Sequence, residues 1–100
     1  MIEKTIKGIK YRLDEENLTA EVIQKKGYEG DIIIPETIVF NEVTYRVTSI
    51  GYYAFSGCSS LTSITFNGTK AQWKGINLGE DWNDEVPTKV IHCTDGEVEI

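Results

Sequence analysis

A short internal repeat in the middle of the chain constrains the fold more than any other feature. Val47–Tyr52 is followed fourteen residues later by the similar segment Leu61–Phe66, and Thr-Ser-Ile is identical in both. Each fits an apolar-x-x-apolar-x-apolar template, and the segment between them, 53–60, is polar and too short for a regular helix. A repeat at fixed spacing with a short return predicts one coil of a solenoid. Because one coil cannot bury its own apolar edges, it has to stack on the flanking segments.

The segments before the repeat consist of short runs of β-branched and aromatic residues, which are typical of strands. Alternating apolar and polar residues predict one hairpin over 8–24 and a second over 37–47. Between them, 31–35 predicts a short apolar strand that ends at Pro35, because proline cannot donate to a strand ladder.

The segments after the repeat are more varied. Thr69 is a candidate N-cap for one short helix near 70–75. The strands predicted at 89–93 and 97–100 flank an Asp-Gly turn, which is a strong hairpin signal. The polar, acidic segment 76–87 is predicted to be irregular.

These elements predict a mainly β chain in one domain, 1–100, because a length of 100 residues suits a single thin core. We assign 8–46 to an N-terminal hairpin cap, 47–68 to the solenoid coil and 69–100 to a C-terminal cap.

The charge distribution excludes several classes of partner. The net charge is −6, and residues 1–74 carry equal numbers of acidic and basic side chains, so the whole excess lies in 75–100. Nucleic acids and anionic membrane surfaces attract clustered Lys and Arg, which this chain lacks. No run approaches the ~20 apolar residues of a membrane span, and the first residues lack the apolar stretch of a signal peptide.

Catalytic and metal-binding patterns are weak. His92 is the one histidine and is adjacent to Cys93, and neighbouring side chains on a strand point to opposite faces, so the two should not form a dyad. The cysteines and the histidine do not provide a zinc ligand set. The acidic segment 80–85 offers carboxylates for weak Ca²⁺ binding or for a glycosidase pair, but a solvated loop is the favoured interpretation. We therefore predict no enzyme and no cofactor.

The two cysteines leave one alternative open. Cys58 and Cys93 can be separate, mostly buried thiols, which is the favoured interpretation, or they can form one disulfide.

Candidate binding residues follow from the repeat template. If its apolar positions face inward, the small polar residues between them face outward, together with Gly51. The large aromatic residues near the repeat are candidate anchors for a partner, although such residues also serve at core edges. The candidates are Ser49, Tyr52, Tyr53, Ser63, Thr65, Asn67 and Trp82.

Several segments together resemble the leucine-rich repeats of the BspA type. They are Ile34-Pro35, Val47-Thr48-Ser49-Ile50-Gly51, Ala54-Phe55, Gly57-Cys58-Ser59-Ser60-Leu61 and Thr62-Ser63-Ile64. The start at Tyr28–Pro35 and the tail, Phe66–Trp73 with His92–Gly96, are similar to the terminal parts of the same proteins, so the resemblance covers about 8–97. It implies a short leucine-rich-repeat array with about one full repeat between two caps.

The resemblance also implies a location and a function. Many members are secreted or cell-surface proteins of bacteria, and several are linked to adhesion or to binding host proteins. We therefore expect a non-catalytic protein-binding or adhesion module at the cell surface or outside the cell, with a protein partner. The alternative is a structural module that forms a homodimer through a strand edge or a solenoid end. A small hydrolase is the least supported hypothesis.

Overall fold

Short strands dominate the structure, as predicted. This computed structural model describes residues 1–100. The strands are β1 (Ile2–Ile6), β2 (Ile9–Asp14), β3 (Thr19–Val22), β4 (Gly30–Ile34), β5 (Thr37–Phe40), β6 (Val43–Ile50), β7 (Leu61–Phe66), β8 (Asn77–Leu78), β9 (Val90–Cys93) and β10 (Gly96–Glu99). The one helix, α1, spans Lys70–Lys74.

Two sheets contain these strands. The six-stranded sheet has the order β1-β2-β3-β6-β5, and β8 pairs with the remaining part of β6. The four-stranded sheet has the order β10-β9-β7-β4. All three predicted hairpins are confirmed, because β2 with β3, β5 with β6 and β9 with β10 are antiparallel pairs.

The chain passes from the six-stranded sheet to the four-stranded sheet three times, and the two strands joined by each such passage form what we call a level. The first level is β3 and β4, the second is β6 and β7, and the third is β8 and β9. Equivalent strands of successive levels are parallel neighbours in both sheets. In the four-stranded sheet Ile32 lies beside Ile64, which lies beside Ile91. The two copies of the internal repeat, in β6 and β7, therefore form the two sides of the second level.

The turns that join the two sheets also stack on one another. In the second and third levels, Tyr53 donates its N–H to the carbonyl of Glu80 at 3.1 Å, Phe55 to that of Trp82 at 2.8 Å, and Gly57 to that of Asp84 at 2.9 Å. The prediction that 76–87 is irregular is therefore wrong in part. This segment contains β8 and a turn whose order comes from hydrogen bonds to the preceding level.

An aromatic stack passes through the core at these turns. Tyr28, Phe55 and Trp82 are each separated by 27 residues in the sequence, and all three are buried. The ring centroids of Tyr28 and Phe55 lie 5.0 Å apart, and those of Phe55 and Trp82 lie 6.1 Å apart, both in edge-to-face geometry. One aromatic ring per level thus joins the three levels inside a single cluster of 22 buried residues.

The helix begins as its sequence predicts. The Thr69 hydroxyl accepts the N–H of Gln72, and the Gln72 side chain accepts the N–H of Thr69, which completes a capping box. Gly75 follows as the C-cap, and Trp73 is the buried residue of the helix.

The first strand was not predicted. β1 pairs with β2 from Ile2 opposite Leu13 to Ile6 opposite Ile9. Its middle residues are exposed, and β1 is an edge strand of the six-stranded sheet. A strand with so little buried apolar surface carries a weak periodic signal.

Candidate functional site

The structure distributes the candidate binding residues over separate surfaces. Ser49 lies on the six-stranded sheet, half-buried between Glu21 and Asn77 in the strand register. Glu21 also belongs to an exposed group of charges, because its carboxylate lies 3.3 Å from the Arg12 guanidinium, which in turn lies 3.4 Å from Glu3. These charged side chains form ion pairs with one another on the surface of the sheet, so the surroundings of Ser49 are an ordinary solvated face.

The expectation that Gly51 faces outward is wrong. Gly51 is buried, and a Cβ at this position would lie 3.1 Å from the carbonyl oxygen of Val22. Its N–H donates to that same carbonyl at 2.7 Å. The close approach of two backbones in successive levels is therefore the reason for a residue without a side chain.

Ser63 and Thr65 lie on the other sheet. Both are half-buried on β7, and Thr65 stands beside Ile33 on one side and His92 on the other. The His92 Nδ1 lies 2.9 Å from a Glu97 carboxylate oxygen. Asn67 follows at the end of β7, where it is exposed and its N–H donates to the carbonyl of Ile34.

Trp82 takes no part in an exposed surface. It is 7% exposed, and its ring centroid lies 5.8 Å from that of Trp73 in addition to its contact with Phe55. It belongs to the aromatic stack.

Tyr52 and Tyr53 are the prominent exposed aromatic residues. They are 66% and 40% exposed, and their ring centroids lie 4.9 Å apart. Tyr53 has a φ of 58°, so the turn places two successive side chains outside the molecule. Its N–H is held by the carbonyl of Glu80 in the next level. The pair is therefore anchored through its backbone while its rings remain accessible.

Carboxylates lie on the stacked turns that carry this tyrosine pair. The stacked turns bring the exposed residues Glu80, Asp81, Asp84 and Glu85 to the same edge of the molecule, and none of them forms an ion pair. The negative charge of Asp81, followed by desolvation and the charge of Glu80, raises the pKa of Tyr53 above its usual value. We call this surface the tyrosine–acidic edge, and it consists of Tyr52, Tyr53, Glu80, Asp81, Asp84 and Glu85.

The carboxylates were noticed in the sequence, but their position beside the tyrosines was missed. The signal that locates them is the 27-residue spacing of the aromatic stack, which aligns 53–57 with 80–84.

The nucleophilic side chains are not activated. His92 contacts Glu97, whereas Cys93 packs against the core, so the two adjacent side chains point to opposite sides of β9. Burial raises the pKa of both the Cys58 and Cys93 thiols, which disfavours the reactive thiolate. Both cysteines are free thiols in the structure.

Two further observations concern cations and membranes. The structure contains no group of three or more His, Cys, Asp or Glu residues placed to hold a metal ion. Its single short helix is far from the length and apolar character that crossing a membrane demands.

Comparisons with known proteins add a structural relative. No protein-family model and no curated protein sequence matches the chain. The crystal structure of a leucine rich cell surface protein from Faecalibacterium prausnitzii A2-165 superimposes with a TM-score of 0.69 at 21% sequence identity. The match covers 95% of this chain. The chain has the fold of this leucine-rich protein. The predicted resemblance to leucine-rich repeats is thus confirmed in the fold, and the chain spans 24% of the length of that relative.

Proposed function

We propose that this chain is a non-catalytic protein-binding module of a bacterial secreted or cell-surface protein. Its three levels form a short solenoid, and the tyrosine–acidic edge is the surface that contacts the partner. The exposed Tyr52–Tyr53 pair with the carboxylates of Glu80 and Asp81 beside it is the observation that carries this proposal.

The chemistry of this edge favours a protein partner. Tyrosine provides a large contact area at a low cost in side-chain entropy and is enriched at binding hot spots. The backbone bond from Tyr53 to Glu80 and the stacked turns fix the position of the pair before binding. Such pre-organisation reduces the entropy lost on association.

The charge of the edge defines the complementary surface. Glu80, Asp81, Asp84 and Glu85 create a negative field without internal neutralisation. A partner with exposed Lys or Arg beside an apolar patch would gain both attraction during encounter and cation–π contact with the tyrosine rings.

The test is binding of the chain to a panel of purified extracellular-matrix proteins that includes basic ones, measured by biolayer interferometry at two salt concentrations. We expect at least one basic panel member to bind, with an affinity that decreases as salt increases. The double variant Tyr52→Ala/Tyr53→Ala should weaken that binding about tenfold or more, and Asp81→Lys should act in the same direction.

The control is Thr65→Ala, which removes a side chain from β7, outside the tyrosine–acidic edge, and should leave the affinity unchanged. Equal binding by all variants, or no binding by any panel member, would contradict the proposal.

Self-association is the second candidate function. Val39, on β5, is 63% exposed, and the neighbouring Phe40 is half-buried with the Lys4 ammonium 5.4 Å from its ring centroid. An exposed apolar strand can pair with another chain. Light scattering over a concentration series should then show an increase in mass that Val39→Lys abolishes, and a constant monomer mass would remove this candidate.

A further inference from the structure

The strand β4 lies at one end of the four-stranded sheet, and no other strand pairs with its outer edge. β4 pairs with β7 alone. The carbonyl of Ile34 accepts the N–H of Asn67 at 2.9 Å. The register with β7 is regular from Asp31 to Ile34, after a shift between Gly30 and Asp31, so Ile32 and Ile34 direct their backbone groups toward β7. Since strand residues alternate in direction, Asp31 and Ile33 direct their N–H and C=O groups toward the open edge.

This open edge lies in a groove. A cavity of about 790 Å³ extends along β4, and its opposite wall comes from the β1–β2 turn, with Ile6 and Ile9. Ile38 and Val39 of β5 line it as well. A Cβ placed on Gly30 would meet no atom within 4 Å, which shows that the space beside the start of the strand is open. The groove therefore combines unpaired backbone groups with apolar walls.

We propose that this groove binds an extended peptide segment as an additional strand, antiparallel to β4. A row of free backbone donors and acceptors is a template for strand addition, and apolar pockets beside it select every second side chain. Residues of the peptide that pair with Asp31 and Ile33 point outward, and those between them point toward Ile6 and Ile9.

The shape of the groove favours a single strand over a second copy of this chain. Asp31–Ile33 line the same cavity as the β1–β2 turn and β5, so the edge is recessed between these walls. In a symmetric pair, β4 of the second copy would bring identical walls to the same place, and the two sets would overlap. An isolated extended segment has no such walls.

The charges at one end of the groove define the direction and the end of the peptide. Lys7 and Lys25 line the cavity where β4 begins, and Lys26 lines the adjoining cavity of about 660 Å³. Two carboxylates, those of Glu29 and Asp31, line the groove as well, so Lys26 of the adjoining cavity provides the excess of one positive charge. An antiparallel peptide finishes there, so an acidic residue or a free carboxylate at its C-terminal end would be complementary.

The first experiment uses the wild-type protein and a synthetic probe. The probe is a fluorescein-labelled peptide in which Thr and Val alternate three times before a C-terminal Asp with a free carboxylate. We expect saturable binding in fluorescence anisotropy. N-methylation of the Thr amides, which face β4, should weaken it about tenfold or more, whereas N-methylation of the Val amides should have little effect. Absence of saturable binding, or equal weakening by both modifications, would overturn the proposal.

Amide hydrogen exchange provides a second readout on the same protein. In the free chain the amides of Asp31 and Ile33 should exchange faster than those of Ile32 and Ile34, and the probe should slow them. Protection of Asp31 and Ile33 in the free chain, or a dimeric mass that accounts for it, would show that the edge is already occupied and would overturn the proposal.

A pair of variants separates the backbone from the side chain. Ile33→Pro removes the donor that faces the groove, and its ring is compatible with an edge strand because the missing N–H does not serve β7. Ile33→Ala removes the side chain but keeps the donor. We expect Ile33→Pro to weaken the probe about tenfold and Ile33→Ala to weaken it much less. Unchanged affinity in Ile33→Pro with retained circular dichroism would count against the proposal.

The Tyr52→Ala/Tyr53→Ala double variant should bind the probe like the wild type, since the tyrosine–acidic edge does not line the groove. The proposal for the groove and the proposed function can therefore fail independently.

Discussion

Tyr53 and Phe55 lie two residues apart in the same turn and have opposite environments. Phe55 is fully buried between Tyr28 and Trp82, whereas Tyr53 is exposed beside Tyr52. Both donate a backbone N–H to the next level, Tyr53 to Glu80 and Phe55 to Trp82. The hydrogen bonds of the two residues are therefore equivalent, whereas the positive φ of Tyr53 directs its side chain to the outside of the molecule.

This difference separates structural from functional constraint. Residue 55 needs an aromatic ring because an aromatic residue precedes it and follows it in the stack. The rings at 52 and 53 contact each other and solvent, and the fold gains little from them. Exposed aromatic residues that do not pack in the core are typical of binding surfaces, where tyrosine is enriched at hot spots.

The largest expected effect is that of Phe55→Ala. Removing this ring leaves a cavity between the second and third levels and should lower the free energy of unfolding by about 3–5 kcal/mol. A chain of this size has a total stability of roughly 5–15 kcal/mol, so the variant should be close to unfolding. Urea denaturation followed by circular dichroism measures the change. A loss comparable to that of Tyr52→Ala would contradict the distinction between the two environments.

An intermediate effect is expected from alkaline pH, acting on Tyr28. The Tyr28 hydroxyl donates to the carbonyl of Ile23 and accepts the N–H of Lys10, both at 3.0 Å. Burial is the main cause that raises the pKa of Tyr28 from 10.0 to about 12. Between these values the unfolded chain has lost a proton that the folded chain retains, so stability decreases as pH rises through this interval.

The measurement compares the wild type with Tyr28→Phe at neutral pH and at about pH 11. At neutral pH the variant should be less stable by about 1–3 kcal/mol, because it leaves the Lys10 N–H without a partner. Near pH 11 this difference should become smaller, since the phenylalanine ring of the variant cannot ionise. A difference that stays constant would show that folding does not raise the pKa of Tyr28.

The smallest expected effect on stability is that of the tyrosine pair. Tyr52→Ala and Tyr53→Ala should each change the free energy of unfolding by less than about 0.5 kcal/mol, as is usual for exposed positions. Thermal unfolding checks this. A loss above about 2 kcal/mol would assign the pair to the fold and would remove the reason for proposing it as a binding surface.

Local sequence signals were sufficient for the hairpins and the helix. The Asp-Gly turn before β10, the Thr69 cap and the strand end at Pro35 each depend on neighbouring residues alone. These signals act through turn geometry and capping, which the rest of the fold does not alter.

The third level could not be predicted from local sequence. Asn77–Leu78 and the turn after it contain no copy of Thr-Ser-Ile, and they acquire their order from β6 and the turn of the second level. For the same reason Trp82, which stands in an acidic segment, was a candidate surface residue although it is in the core. Of the candidate surface, the exposed tyrosines could be proposed from the sequence, but their carboxylate neighbours required the register between levels.

The stacked turns also bear on how the length of such a protein can change. Each hydrogen bond described between the turns of the second and third levels joins two residues that are 27 positions apart in the sequence. These hydrogen bonds use backbone N–H and C=O groups, which every residue other than proline provides. A unit inserted between these levels could satisfy the same donors and acceptors on both sides. Elongation would then leave the two ends unchanged, and the number of levels could vary by duplication without redesign of either terminus.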